Sequence, residues 1–198
     1  METYSLEYII LFLIFGKYYI ENMKKVLAFA GSNSKNSINK QLAVYATNQI
    51  NGVEVIVLDL NDFELPLYGI DYETEHGIPE NAQKFLDEIK SSDGIVLSLA
   101  EHNGAYSSVF KNLFDWMSRI DGKLWNNKPM LLMATSPGGR GGASVLEIAK
   151  GRFPHMGGNI IAYFSLPSFN LNFLEDKIVN SQLRSDFEEA IKKLEQAI

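Results

Sequence analysis

From Lys25 to the C-terminus, short and almost wholly apolar runs alternate with stretches whose apolar residues recur at intervals of three and four. That alternation restricts the chain to βαβ units wound around a parallel sheet. The runs are Val26 to Ala30, Val53 to Leu58, Gly94 to Leu99, Met130 to Ala134 and Ile160 to Phe164. Four of them have the near-continuous apolar character of strands covered on both faces. The second carries Glu54 and alternates, which suits a sheet edge. Between them Leu42, Tyr45 and Ala46 mark one helical face, and Ala82, Phe85, Leu86 and Ile89 a second. Phe110, Leu113, Phe114 and Met117 mark a third, Val145, Leu146 and Ala149 a fourth, and Leu183, Phe187, Ala190, Ile191 and Leu194 a fifth.

Of the two common orders for such a sheet, the flavodoxin-like 2-1-3-4-5 puts the Glu54 strand at an edge, so a three-layer αβα sandwich is expected. The longest irregular piece, Leu60 to Gly77, contains Leu65-Pro66-Leu67-Tyr68 and is too long to be a plain connector. With 198 residues and no linker-like stretch, one domain is expected. The absence of Cys excludes disulfides, cysteine-based zinc sites and thiol nucleophiles. A formal charge of −6 without a basic stripe argues against nucleic acid as a partner.

The stretch from Met1 to Asn22 does not fit the domain pattern. Its apolar run, Ile9 to Phe15, is far shorter than the roughly twenty residues that span a bilayer. Glu2 and Glu7 at its start, with no small-residue cleavage site after it, make it a poor signal peptide. The preferred reading is that Met23 is the functional start, that residues 1–22 are an extension outside the domain, and that 23–198 form the domain; a membrane-touching amphipathic leader is the alternative. Without that prefix the formal charge is −4. A cytoplasmic protein with no stable membrane association is expected.

In a doubly wound sheet a ligand sits beyond the carboxyl ends of the strands, where the strand order reverses. Three loops there are unusual. After the first strand comes Gly31-Ser32-Asn33-Ser34-Lys35-Asn36-Ser37-Ile38-Asn39, opening into a helix. Gly31 would allow a sharp turn, and helix-start amides with Ser32, Ser34, Ser37 and Asn39 could surround a phosphate with neutral donors. The plainer reading is a helix cap. The loop is neither a Walker A sequence nor a Gly-x-Gly-x-x-Gly turn.

After the third strand, Ala100-Glu101-His102-Asn103-Gly104-Ala105-Tyr106 suggests main-chain amides offered to a planar polar ligand, with His102 and Tyr106 able to cover its faces. A surface histidine is the plainer reading of His102, which lacks the neighbours of a metal site. In the helix that follows, Lys111 and Asp115 have the spacing of an ion pair, and Trp116 suits the core or a subunit interface better than a ligand. After the fourth strand, Ser136-Pro137-Gly138-Gly139-Arg140-Gly141-Gly142 removes side chains so that a flat ligand can lie on the backbone, unless it is merely a mobile turn. Arg140 could meet an anionic group of a second substrate.

Together these loops resemble the NADPH-dependent FMN reductase family, flavodoxin-like flavoenzymes that include quinone, azo-dye and chromate reductases. The likeness is carried by Gly31, Ser32, Ser37 and Asn39; by Glu101, Asn103 and Gly104; by Lys111, Asn112, Asp115 and Trp116; and by Ser136, Gly138, Gly139, Gly141 and Gly142. It implies that Ser32, Ser34, Ser37 and Asn39 hold the phosphate of FMN, and that Glu101, His102, Asn103, Gly104, Ser136, Gly138 and Gly139 line the isoalloxazine. Ser34 replaces the family's Arg, which implies weaker FMN retention; Ala100 replaces Pro, and His102 replaces Tyr. The resemblance implies hydride transfer from NADPH or NADH through FMN to a small-molecule acceptor such as a quinone, an azo compound or free flavin, with no catalytic side chain required. It also implies a homodimer or homotetramer, with the Leu65 to Tyr72 loop and the Asp115-Trp116 helix near the partner. A flavodoxin-type electron carrier without a substrate of its own is the alternative.

Overall fold

The computed structural model describes residues 23–198, so the expectations about residues 1–22 lie outside the described residues. Five parallel strands form the central sheet: β1 (Lys24–Gly31), β2 (Val53–Leu58), β3 (Gly94–Leu99), β4 (Pro129–Thr135) and β5 (Asn159–Leu166). Their order is β2-β1-β3-β4-β5, as the strand composition implies. The inner strands β1, β3 and β4 are buried almost from end to end, while β2 has an open edge on which Val55 and Val57 stay exposed.

The sheet separates two apolar layers. Leu27, Phe29, Leu97 and Leu132 pack on one side against α3 (Glu80–Ser91), α4 (Ser108–Ile120) and α5 (Ala143–Arg152). Val26, Ala28, Val96 and Met133 pack on the other against α1 (Ile38–Thr47) and α6 (Ser181–Glu195). Successive strand residues point to opposite faces, so these two sets interleave along each strand. The apolar faces expected for α3, α4 and α5 are buried as expected; in α1 Leu42, Ala43 and Ala46 are buried and Tyr45 only partly.

Two segments carry more structure than their sequence suggests. Within Leu60 to Gly77 lie a 3₁₀ turn (Leu60–Asp62) and the short helix α2 (Ile70–His76), which buries none of its residues and so has no apolar period to betray it. Glu73 anchors it from outside, accepting from Tyr68 Oη at 3.2 Å and from Arg119 Nε at 2.9 Å. After β5 the chain makes one helical turn (Phe169–Asn172) and a ribbon pairing Phe173–Leu174 with Lys177–Ile178. Phe169, Phe173 and Ile178 seal the α1 side of the core. Among the described residues no helix is long and apolar enough to cross a membrane.

Candidate functional site

The carboxyl ends of β1, β3 and β4 meet at one rim because the chain reverses its winding between β1 and β3. A buried network holds them together. Asn39, at the start of α1 and 4% exposed, accepts through Oδ1 from Ser98 Oγ (2.8 Å) and from the Thr135 amide (3.0 Å). Its Nδ2 donates to the Thr135 carbonyl at 3.2 Å. Asn39 thus ties α1 to both strand ends, and it does so from inside the protein. Thr135 Oγ1 extends the chain to the Leu166 carbonyl at 2.7 Å, and Ser107, the N-cap of α4, donates to the Gly31 carbonyl at 2.7 Å. The sequence signal for Ser98 and Thr135 is a polar residue inside or at the end of an otherwise apolar strand, and Ser107 carries the plainer signal of a cap at the start of a helix.

Around this frame the loop from Ser32 to Ser37 forms a cradle. Ser32 Oγ accepts from the Ser34 amide and Ser37 Oγ from the Lys40 amide, both at 3.2 Å, so these hydroxyls fix the loop and cap α1. The amides of Ile38 and Asn39, in the first turn, make no such bond among the described residues and carry the positive end of the helix. Ser34, Lys35 and Asn36 are exposed. Gly31 is extended rather than turned: a side chain there would press on Leu99 at 3.0 Å and Phe110 at 3.3 Å, so its role is close packing beneath the cradle.

After β3 the chain folds back as a two-residue ribbon, Glu101–His102 against Ala105–Tyr106. Asn103 and Gly104 take φ of 51° and 79°, the left-handed pair of a tight hairpin turn. His102 and Asn103 are exposed at its tip. The Glu101 carboxylate turns away to accept from the Val145 amide at 3.0 Å in the first turn of α5, joining the second loop to the third. The Tyr106 ring packs on Phe110 and Phe153, and burial pushes its phenol up to about 12.

The glycines after β4 divide into two pairs. Gly139 faces open space, as a surface for a flat ligand requires, and a side chain on Gly138 would meet only the half-buried Ser136, at 3.8 Å. Gly141 and Gly142 are internal, with φ of 58° and 78°; a side chain on Gly141 would meet Ser165 Oγ at 2.4 Å, and one on Gly142 would meet Ala134 Cβ at 2.7 Å. The Gly138 and Ser136 carbonyls accept from the Ser168 and Phe169 amides at 2.9 and 3.0 Å, so the segment after β5 braces the shelf. Arg140 is exposed and donates to Ser144 Oγ.

Lys111 pairs with Asp115 at 2.7 Å, as their spacing requires. Asn112 and Trp116, one turn apart on α4, clamp the Leu65 to Tyr68 segment: Asn112 accepts from the Tyr68 amide at 2.8 Å, and both residues donate to the Pro66 carbonyl. Trp116 is therefore core.

A family model described as NADPH-dependent FMN reductase matches residues 24–171. A 2-hydroxy-1,4-benzoquinone reductase of Burkholderia sp is 35% identical over 121 residues, 60% of this chain and 64% of that protein. A quinone reductase of Escherichia coli (strain K12) is 30% identical over 125 residues, 60% of this chain and 63% of that protein. The match thus spans slightly less than two thirds of these curated relatives. Among solved structures, a flavoenzyme NAD(P)H:(acceptor) oxidoreductase from Paracoccus denitrificans superposes with a TM-score of 0.67 at 26% identity, covering 88% of this chain and 99% of that one.

Proposed function

This chain belongs to the NADPH-dependent FMN reductase family, and from that premise we propose that it is an FMN-dependent NAD(P)H oxidoreductase acting on a quinone, an azo compound, free flavin or a similar small acceptor. The observation that carries the reading is the meeting, at one rim, of a cradle of helix-start amides and hydroxyls with a tight hairpin turn and a glycine shelf. The donor set fits FMN. A phosphate dianion is matched by the Ile38 and Asn39 amides at a helix start and by the hydroxyls of Ser32, Ser34 and Ser37. The isoalloxazine is matched by the Asn103-Gly104 turn and by the open backbone at Gly138 and Gly139. His102 is exposed beside that turn. FMN held there would supply the redox chemistry between a reduced nicotinamide and the acceptor. The protein's own contribution is orientation: Asn39 and Glu101 keep the three loops at fixed separation, and no side chain at the rim is required to move a proton.

We further propose a homodimer or homotetramer that works in the cytoplasm, where reduced nicotinamide is available. Its support is an exposed apolar surface at Leu67, Ile70, Tyr72 and Ile78 beside the Trp116 clamp. The named relatives are reductases, which favours this reading over a flavodoxin-type carrier.

The test is spectroscopic. The full chain, mixed with FMN and freed of excess, is expected to be yellow and to bleach when NADPH or NADH is added without oxygen, with a quinone restoring the colour. A yellow protein that neither nucleotide bleaches would instead be a carrier. A colourless one would refute flavin binding.

A further inference from the structure

Two hollows flank the cradle loop, and their charges differ. The one reached from Asn33, about 540 Å³, has Glu64 as its charged lining residue. The other, about 720 Å³, lies between the outer face of α1 and the Phe173–Ile178 ribbon, beside the first turn of α6. Lys35, Lys40, Lys177 and Arg184 line it, with Asp176 as the opposing carboxylate. Lys40 is neutralised by Asp59, whereas Lys35, Lys177 and Arg184 enter no ion pair among the described residues. A chain of formal charge −6 therefore gathers three cations outside any ion pair against the single Asp176 carboxylate in one walled groove. Such walls concentrate the field felt by an anion.

The rest of the lining suits a nucleoside. Val44, Tyr45 and Phe173 give an apolar floor, and Tyr45 is held rigid, edge-on to Phe173 at 5.3 Å and stacked on Phe187 at 5.0 Å. The carboxamides of Gln41, Asn48 and Gln49 stand around it and can meet the polar edge of a base. The volume lies in the range of about 300 to 1,000 Å³ typical of small-molecule sites. Position matters as much as chemistry. One end of the groove is the cradle itself, at Lys35 to Ser37, and its far wall is rooted at Ser168 and Phe169, which bond the Gly138 and Ser136 carbonyls of the shelf.

We propose that this groove receives the 2′-phosphate-bearing adenosine end of the reduced nicotinamide, with Lys35, Lys177 and Arg184 taking the phosphate. The proposal rests on the reductase reading and adds to it a choice of NADPH over NADH. A 2′-phosphate is the only group that distinguishes the two dinucleotides, and uncompensated cations are what recognises it.

Calorimetry on the FMN-loaded full chain tests this without turnover. Adenosine 2′,5′-bisphosphate is expected to bind at least about tenfold tighter than 5′-AMP, and K177A/R184A to abolish the difference. In the same double variant the ratio of kcat/KM for NADPH to that for NADH is expected to fall at least about tenfold. Lys192→Ala, farther along α6 and outside the groove, is expected to leave bisphosphate affinity unchanged. Equal affinity for the two nucleotides, undiminished binding by the double variant, or displacement of the bisphosphate by inorganic phosphate at equal concentration would overturn the proposal. Selective bisphosphate binding that the double variant loses, in a protein whose FMN neither dinucleotide reduces, would sustain the nucleotide groove and remove the reductase reading.

Discussion

Gly139 and Gly141 stand two positions apart in one glycine-rich loop and answer to different forces. Gly139 has open space where a side chain would go, whereas Gly141 has a positive φ and Ser165, Leu166 and Pro167 pressed against it. Gly141→Ala must pay for both a left-handed backbone and an overlap, so it is expected to lose about 3 kcal/mol in chemical denaturation. Gly139→Ala is expected to stay within about 0.5 kcal/mol of the unsubstituted protein. If the isoalloxazine lies on this shelf, Gly139→Ala lowers FMN affinity by about tenfold in a flavin titration. Unchanged affinity would move the ring elsewhere. The sequence announces glycine density but cannot separate these roles, because the residues that crowd Gly141 arrive on β5, a strand and a helix later. Asn39 has the same history. A Ser/Asn-rich turn before a helix is legible as a cradle, yet the carboxamide's use within the protein depends on Ser98 and Thr135, which only the folded sheet brings near.

At the scale of elements, the five strands of the central sheet and the five long helices with an apolar face were legible, and α2 and the two short ribbons were not. Helices are readable when one side packs on a sheet, and α2 buries nothing; it is held by Glu73 to Tyr68 and Arg119. Its neighbour, the Leu65 to Tyr68 segment, depends on α4. Asn112→Ala would deprive the Tyr68 amide of its acceptor while Trp116 still donates to Pro66. A global loss of about 1 to 2 kcal/mol is expected. Amide hydrogen exchange should localise it, with Tyr68 exchanging faster and the α4 core keeping its protection. Equal protection at Tyr68 in the variant would mean that something other than this clamp orders the segment. The Lys111-Asn112 and Asp115-Trp116 residues that carry the family likeness thus have a physical role away from the shelf: Asn112 and Trp116 fix the Leu65 to Tyr68 segment, and Lys111 pairs with Asp115 along α4. The ribbon after β5 escaped notice for a related reason, since Glu175 and Asp176 at its turn take positive φ without glycine.

For the whole molecule, topology was legible because few arrangements of five parallel strands exist and Glu54 marks an edge, while the second edge, β5, reads as covered on both faces yet leaves Tyr163 exposed. Assembly is not legible that way, since an exposed leucine and a core leucine look alike in sequence. Leu65 packs against the main core, while Leu67, two residues on, is 82% exposed and Ile70 59%. Tyr72 and Ile78, in and just after α2, are exposed as well, and so are the shelf loops. A flat ligand on the shelf would be bare on one side, and a second copy seated on the Leu67 surface would exclude water from both places at once. Stable association commonly buries about 800 Å² per partner, more than four side chains supply, so the shelf loops would have to share the interface. Sedimentation of the unsubstituted chain is then expected to give a dimer or tetramer. Leu67→Asp with Ile70→Asp should give a smaller species with unchanged circular dichroism, because neither residue supports the core. The smaller species should also release FMN faster if the partner closes the site. A double variant that sediments like the unsubstituted protein would assign the interface to another face, and one that dissociates yet holds FMN as before would separate assembly from cofactor binding.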